Sequence, residues 1–113
     1  METATLKAEK EGVHMSRRFF QITMKVPIGE RTGRLWWDAQ GETLQGTLEI
    51  LGHENPVTGR LRDQQLELEG SIITLVRSIP WTASGTLQGE HLRLTLHGPR
   101  HNWTLEGSEA AGD

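Results

Sequence analysis

Apolar and polar residues take turns along most of this chain. Phe20, Ile22, Met24 and Val26 alternate with Gln21, Thr23 and Lys25, and Leu44, Gly46, Leu48 and Ile50 alternate with Gln45, Thr47 and Glu49. A period of two marks a β-strand with one buried face. Six more runs read the same way on their apolar sides: Gly33-Leu35-Trp37, Val57-Gly59-Leu61, Leu66-Leu68-Gly70-Ile72, Ile79-Trp81-Ala83-Gly85-Leu87, Leu92-Leu94-Leu96 and Trp103-Leu105-Gly107. Turn residues separate them, at Pro27 to Glu30, Asp38 to Gly41, Gly52 to Pro56, Asp63-Gln64, Arg77-Ser78, Gln88 to Glu90 and Gly98 to Arg100. Pro27, Pro56 and Pro80 are expected at the starts of even-numbered strands, where a missing ladder donor does least harm. The pattern predicts eight short antiparallel strands and no helix.

The hairpins also repeat. Thr32-Gly33-Arg34-Leu35 returns as Thr58-Gly59-Arg60-Leu61 and as Ser84-Gly85-Thr86-Leu87, with the three glycines 26 residues apart. Turns centred on Ile28-Gly29, Gln40-Gly41, His53-Glu54, Asp63-Gln64 and Gly89-Glu90 would put one row across the sheet: Met24, Gly33, Leu48, Gly59, Leu68, Gly85, Leu94, Gly107. Large side chains from odd strands then lie beside even strands that carry none. Such a series suits strands coiling round a narrow interior, either at bends or by letting side chains interdigitate. The predicted fold class is therefore all-β, a single antiparallel up-and-down eight-stranded barrel, with a two-sheet β-sandwich as the alternative. The barrel domain should span 16–109, behind a polar leader at 1–15, and the tail from Ser108 should fray.

Composition narrows the roles. The chain has 113 residues, a net charge of −3 and no cysteine. Its bases alternate with acids, which leaves no basic footprint for nucleic acid or anionic lipid. Without cysteine there is no disulfide framework and no thiolate chemistry, and the cytoplasm is the expected location. No run has the length of a signal peptide or a membrane helix, and the small glycine-rich apolar face suits a core better than a lipid surface.

Little reactive chemistry faces inward. Thr74 is the nearest polar candidate and reads as a strand-end threonine bonded to backbone. His97 and His101 flank the Gly98-Pro99-Arg100 turn, with His91 further off and His14 and His53 elsewhere. A metal would need three or four converging ligands, so these read as exposed loop histidines. Glu49, Glu67, Glu69 and Glu106 should form weak cross-strand pairs with Arg34, Arg60 and Arg93. No phosphate loop, nucleophile elbow or paired-carboxylate motif occurs. The expectation is a non-enzymatic protein with no cofactor.

Two surfaces remain for binding. Phe20, Met24, Trp37, Leu48, Trp81, Leu94 and Trp103 would line an interior pocket for a compact apolar ligand. Phe19, Trp36, Ile73 and Leu75 break the outward polar pattern and could form a homodimer interface on a structural or interaction module with a filled core.

By topology, Arg18 to Gly107 resembles a reduced calycin-type barrel, the lipocalin-like architecture, which implies small-ligand carriage. The lipocalin Gly-x-Trp opening is not reproduced, since Gly33-Arg34-Leu35-Trp36 has the wrong spacing. Met24-Lys25-Val26-Pro27-Ile28-Gly29, followed by Gly33 and Leu35, resembles small uncharacterised bacterial proteins. That likeness implies a bacterial source and no particular activity.

Overall fold

The computed structural model of the protein describes residues 16–26, 29–73 and 77–110. The predicted leader, Thr74 and Leu75 lie outside them, as do Pro27 and Ile28 of the first turn. Eight strands follow in order: β1 (Ser16–Val26), β2 (Gly29–Gln40), β3 (Thr43–Ile50), β4 (His53–Arg62), β5 (Gln65–Ile73), β6 (Ser78–Gln88), β7 (His91–His97) and β8 (Asn102–Ala110). Each pairs antiparallel with the next, and β8 returns to β1 from Phe19↔Ala110 to Lys25↔Thr104. The sheet closes into an up-and-down barrel, and the sandwich alternative falls away. Among the described residues no helix is long and apolar enough to cross a membrane.

β8 runs on to Ala110, so the tail expected to fray at Ser108 is a paired strand. The Glu109 carboxylate explains the difference. Both of its oxygens accept from the Arg18 guanidinium, at 2.8 and 2.6 Å, and Arg18 also donates to the Gly89 carbonyl at 2.9 Å. One bidentate ion pair thus fastens the last strand to the first. The Arg34–Glu49 and Arg93–Glu106 pairs form as expected, each at 2.6 Å.

The alternating faces are as predicted. Phe20, Ile22, Met24, Leu35, Trp37, Leu44, Leu48, Val57, Leu66, Leu68, Trp81, Leu94, Leu96 and Leu105 are all buried inside. The register within those faces differs from the single predicted row. Met24 lies opposite Arg31 and Leu105, Leu48 opposite Leu35 and Asn55, and Leu68 opposite Gly59 and Ala83. Gly85 does face Leu94, as predicted, while Gly107 faces Leu92 and Ile22. Rows climb steeply instead of circling: Ala39, Leu44, Gly59, Leu68, Ala83, Leu96 and Trp103 are successive partners. Such a row starts at the end of the barrel holding the start of β1 and the end of β8 and finishes at the far end, as tilted barrel strands require.

The third turn accounts for the largest slip. It sits at Leu51-Gly52, where both residues have positive φ (56° and 78°), and β4 begins at His53. His53 to Pro56 are therefore strand, although Asn-Pro reads locally as a turn. Pro56 stands one residue before β4 starts pairing with β5, and Pro80 two residues before β6 starts pairing with β7. Neither prolyl nitrogen is asked for a bond in those ladders.

The inward glycines are needed chiefly at bends. A Cβ at Gly59 would overlap the Glu67 carbonyl oxygen, and one at Gly85 the Arg93 carbonyl oxygen. The coiling strand brings its neighbour's backbone to where a side chain would begin. Interdigitation is the second reason: a Cβ at Gly107 would lie 2.7 Å from Ile22 Cγ2, and one at Gly70 would lie 3.2 Å from Trp81 Cζ2.

Candidate functional site: the recess beside Trp103

Six of the seven residues expected to line an interior pocket are core. Phe20, Met24, Trp37, Leu48, Trp81 and Leu94 are each at most 4% exposed. They pack on one another and over the glycines: the Phe20 and Trp37 rings are 4.8 Å apart, and Leu68 Cδ2 lies 2.7 Å from where a Gly59 Cβ would be. At these positions the missing side chains give room to neighbours. Trp37 Nε1 and Trp81 Nε1 are buried with no hydrogen-bond partner among the described residues. Each such donor costs about 1–3 kcal/mol relative to a satisfied one.

Trp103 differs from the other six. It is only partly buried, at the upper end of its row on β8. Its surroundings follow from chain connectivity. The pairs Ile73↔Ser78 and His97↔Asn102 leave four residues between their strands, whereas the β2–β3, β3–β4, β4–β5 and β6–β7 turns have two. Arg77 and the start of β6 meet the Gly98–His101 turn at the far end. Residues Arg77, Ser78, Ile79 and Pro80 on one side, and Pro99, Arg100, His101 and Trp103 on the other, line a recess of about 270 Å³.

The far wall is set by a tight turn. Gly98 N–H donates to the His101 carbonyl at 2.9 Å. A Cβ on Gly98 would lie 3.1 Å from that carbonyl oxygen and 3.3 Å from Trp103 Cη2. Glycine therefore lets the indole edge approach the turn closely. Pro80 and Pro99 hold fixed backbone angles on either side. The lining pairs an apolar surface (Ile79, Pro80, Pro99, Trp103) with Arg77, Arg100 and His101, and includes no carboxylate.

Larger grooves, of about 510 and 530 Å³, run over the outer wall. Their lining is mostly exposed Thr, Ser, Glu and Arg side chains above the strand ladders, which water solvates well. Ligand sites are more apolar than this and gather a few polar groups at one spot. The smaller recess fits that description better than these two grooves; a shallower groove of about 610 Å³ adjoins it, sharing Pro80 and Pro99, but gathers no cationic side chain.

No known protein family, curated protein or solved structure matches this chain. The site must therefore be judged on its own chemistry.

The other predicted residues scatter. Phe19 and Trp36 do meet on the outer wall, stacked with ring centroids 5.8 Å apart, and the Arg34 guanidinium lies over Trp36 at 5.6 Å. Ile73 is exposed but belongs to β5, three strands from Trp36. His91, His97 and His101 are exposed, and no group of three or more potential metal-ligating side chains forms among the described residues. Sequence reasoning singled out the Gly98-Pro99-Arg100 turn for its flanking histidines and passed over Arg100 and Pro99. The available signal was a tryptophan two residues after a four-residue loop, where a strand end is left partly covered.

Proposed function

We propose that this protein is a non-enzymatic binding barrel that takes a compact, largely apolar ligand in the recess beside Trp103. The observation that carries this reading is a partly buried indole flanked by Ile79, Pro80 and Pro99 in a pocket of about 270 Å³. Sites for drug-sized ligands run from about 300 Å³ upward, so this one suits a single-ring molecule. Likeness to ligand-carrying calycin barrels supports the reading at the level of fold alone. The cysteine-free sequence suits a reducing cytoplasm, and the likeness of Met24 to Gly29 to small bacterial proteins suits a bacterial source.

Benzyl alcohol is a suitable neutral probe, followed through the four tryptophan indole N–H signals by NMR. The Trp103 signal should move saturably while those of Trp37 and Trp81 stay still. A static Trp103 signal up to the solubility limit would refute the reading. Movement of Trp37 or Trp81 instead would place the ligand inside the barrel, against their unpaired N–H groups.

A second reading, an interaction module pairing with a copy of itself, draws on the Phe19–Trp36 stack standing on an otherwise polar wall. Balanced Arg17–Asp38 and Arg34–Glu49 pairs beside it would suit an identical surface better than a strongly charged partner. Arg34 already covers part of Trp36, which is why this reading comes second.

A further inference from the structure

Building on the recess reading, we infer that its ligand is an anion: a compact planar carboxylate whose ring lies against Trp103 and whose charged end meets Arg100. The protein as a whole is acidic, at −3, yet the eight residues lining this pocket include Arg100 and His101 and no acid. The contrast with other arginines is local and geometric. Arg17, Arg18, Arg34, Arg62 and Arg93 each reach a carboxylate within 3.4 Å. Among the described residues Arg31, Arg60 and Arg100 reach none, and of these three Arg100 is the one that lines the recess, where its guanidinium can turn its paired N–H donors to a ligand. That fork matches a carboxylate in two parallel hydrogen bonds. His101 lines the same rim and adds a further donor.

The opposite side of the recess fixes the rest of the molecule. Trp103 offers a flat indole, and Pro80 and Pro99 offer compact, rigid rings. A planar apolar body stacks on such surfaces with little loss of side-chain freedom, because none of the three has long flexible torsions to order. The volume admits one ring with a carboxylate. A bare inorganic anion would leave the apolar side unused.

Benzoate and benzamide separate the charge from the ring, since they share shape and differ in charge. Calorimetric titration of the wild-type protein should show benzoate binding at least fivefold more tightly than benzamide. Raising salt should weaken benzoate selectively. In Arg100→Gln, an exposed substitution outside the core, benzoate should fall to the level of benzamide. Equal affinity of the two probes for wild type would overturn the anion inference and leave the recess reading standing. A benzoate preference that survives Arg100→Gln would overturn the role of Arg100. Binding of neither probe would remove the recess reading along with the inference.

Discussion

Asn55 shows how much one side chain can hold. It is the polar residue buried in the core among the described residues, fully shielded from solvent. Its Nδ2 donates to the Leu48 carbonyl at 3.0 Å and the His53 carbonyl at 3.3 Å, and its Oδ1 accepts from Ile73 N–H at 3.1 Å. One carboxamide thus ties β3, β4 and β5 at a point where β4 and β5 have not yet begun their ladder. Asn55→Ala would leave the Ile73 N–H and the Leu48 carbonyl without this partner and cost about 2–3 kcal/mol. Urea unfolding should show a lower midpoint at unchanged slope; a loss below about 0.5 kcal/mol would contradict the assigned role. This residue was not legible in the sequence. Asn-Pro after Gly-His-Glu looks like a loop, and only the three-strand junction reveals a buried amide.

Strand identity and facing, by contrast, could be read almost entirely. Every register slip was an even number of residues, so Leu48, Leu68 and Leu94 kept their inward faces while changing partners. Burial fixes the parity of a strand, whereas the turn fixes its offset. Asp63-Gln64 and Gly89-Glu90 were placed correctly because the flanking apolar residues left no other position. At Leu51-Gly52 a leucine occupies a left-handed position that asparagine or glycine would normally fill, so its turn signal was masked by the residues after it.

The β1–β8 seam was beyond local reading, yet it makes a definite prediction about pH. Hydrogen bonding to Arg18 holds the Glu109 carboxyl below its ordinary value of 4.5, against a smaller opposing effect of burial. A depressed folded-state pKa adds stability that is present above the unfolded value and is lost as pH falls through the folded one. Glu109→Gln should therefore lower stability by about 1 kcal/mol near neutrality, the range for a bidentate, partly shielded pair. The gap to wild type should narrow steadily as pH drops from about 5. A gap that is absent at neutrality or constant to pH 2 would rule out this contribution.

At the scale of the whole molecule, closure and filling belong together. Strands that coil tightly enough to need glycine at Gly59 and Gly85 also draw the walls inward, until Phe20, Trp37, Leu48 and Leu94 meet across the interior. Packing turned six of the seven residues expected to line an interior pocket into core and left Trp103 at the rim. Its neighbours, residues 77–80 at the start of β6 and 99–101 of the β7–β8 turn, are distant in sequence, and alternation along a single strand cannot bring them together. The proposed ligand site is thereby placed at the far end of the barrel instead of inside it. An amide chemical-shift map recorded with benzoate tests this most directly. Shifts confined to 77–80 and 98–103 are predicted, with Phe20, Leu48 and Leu94 unmoved; shifts running through those interior positions would contradict the account.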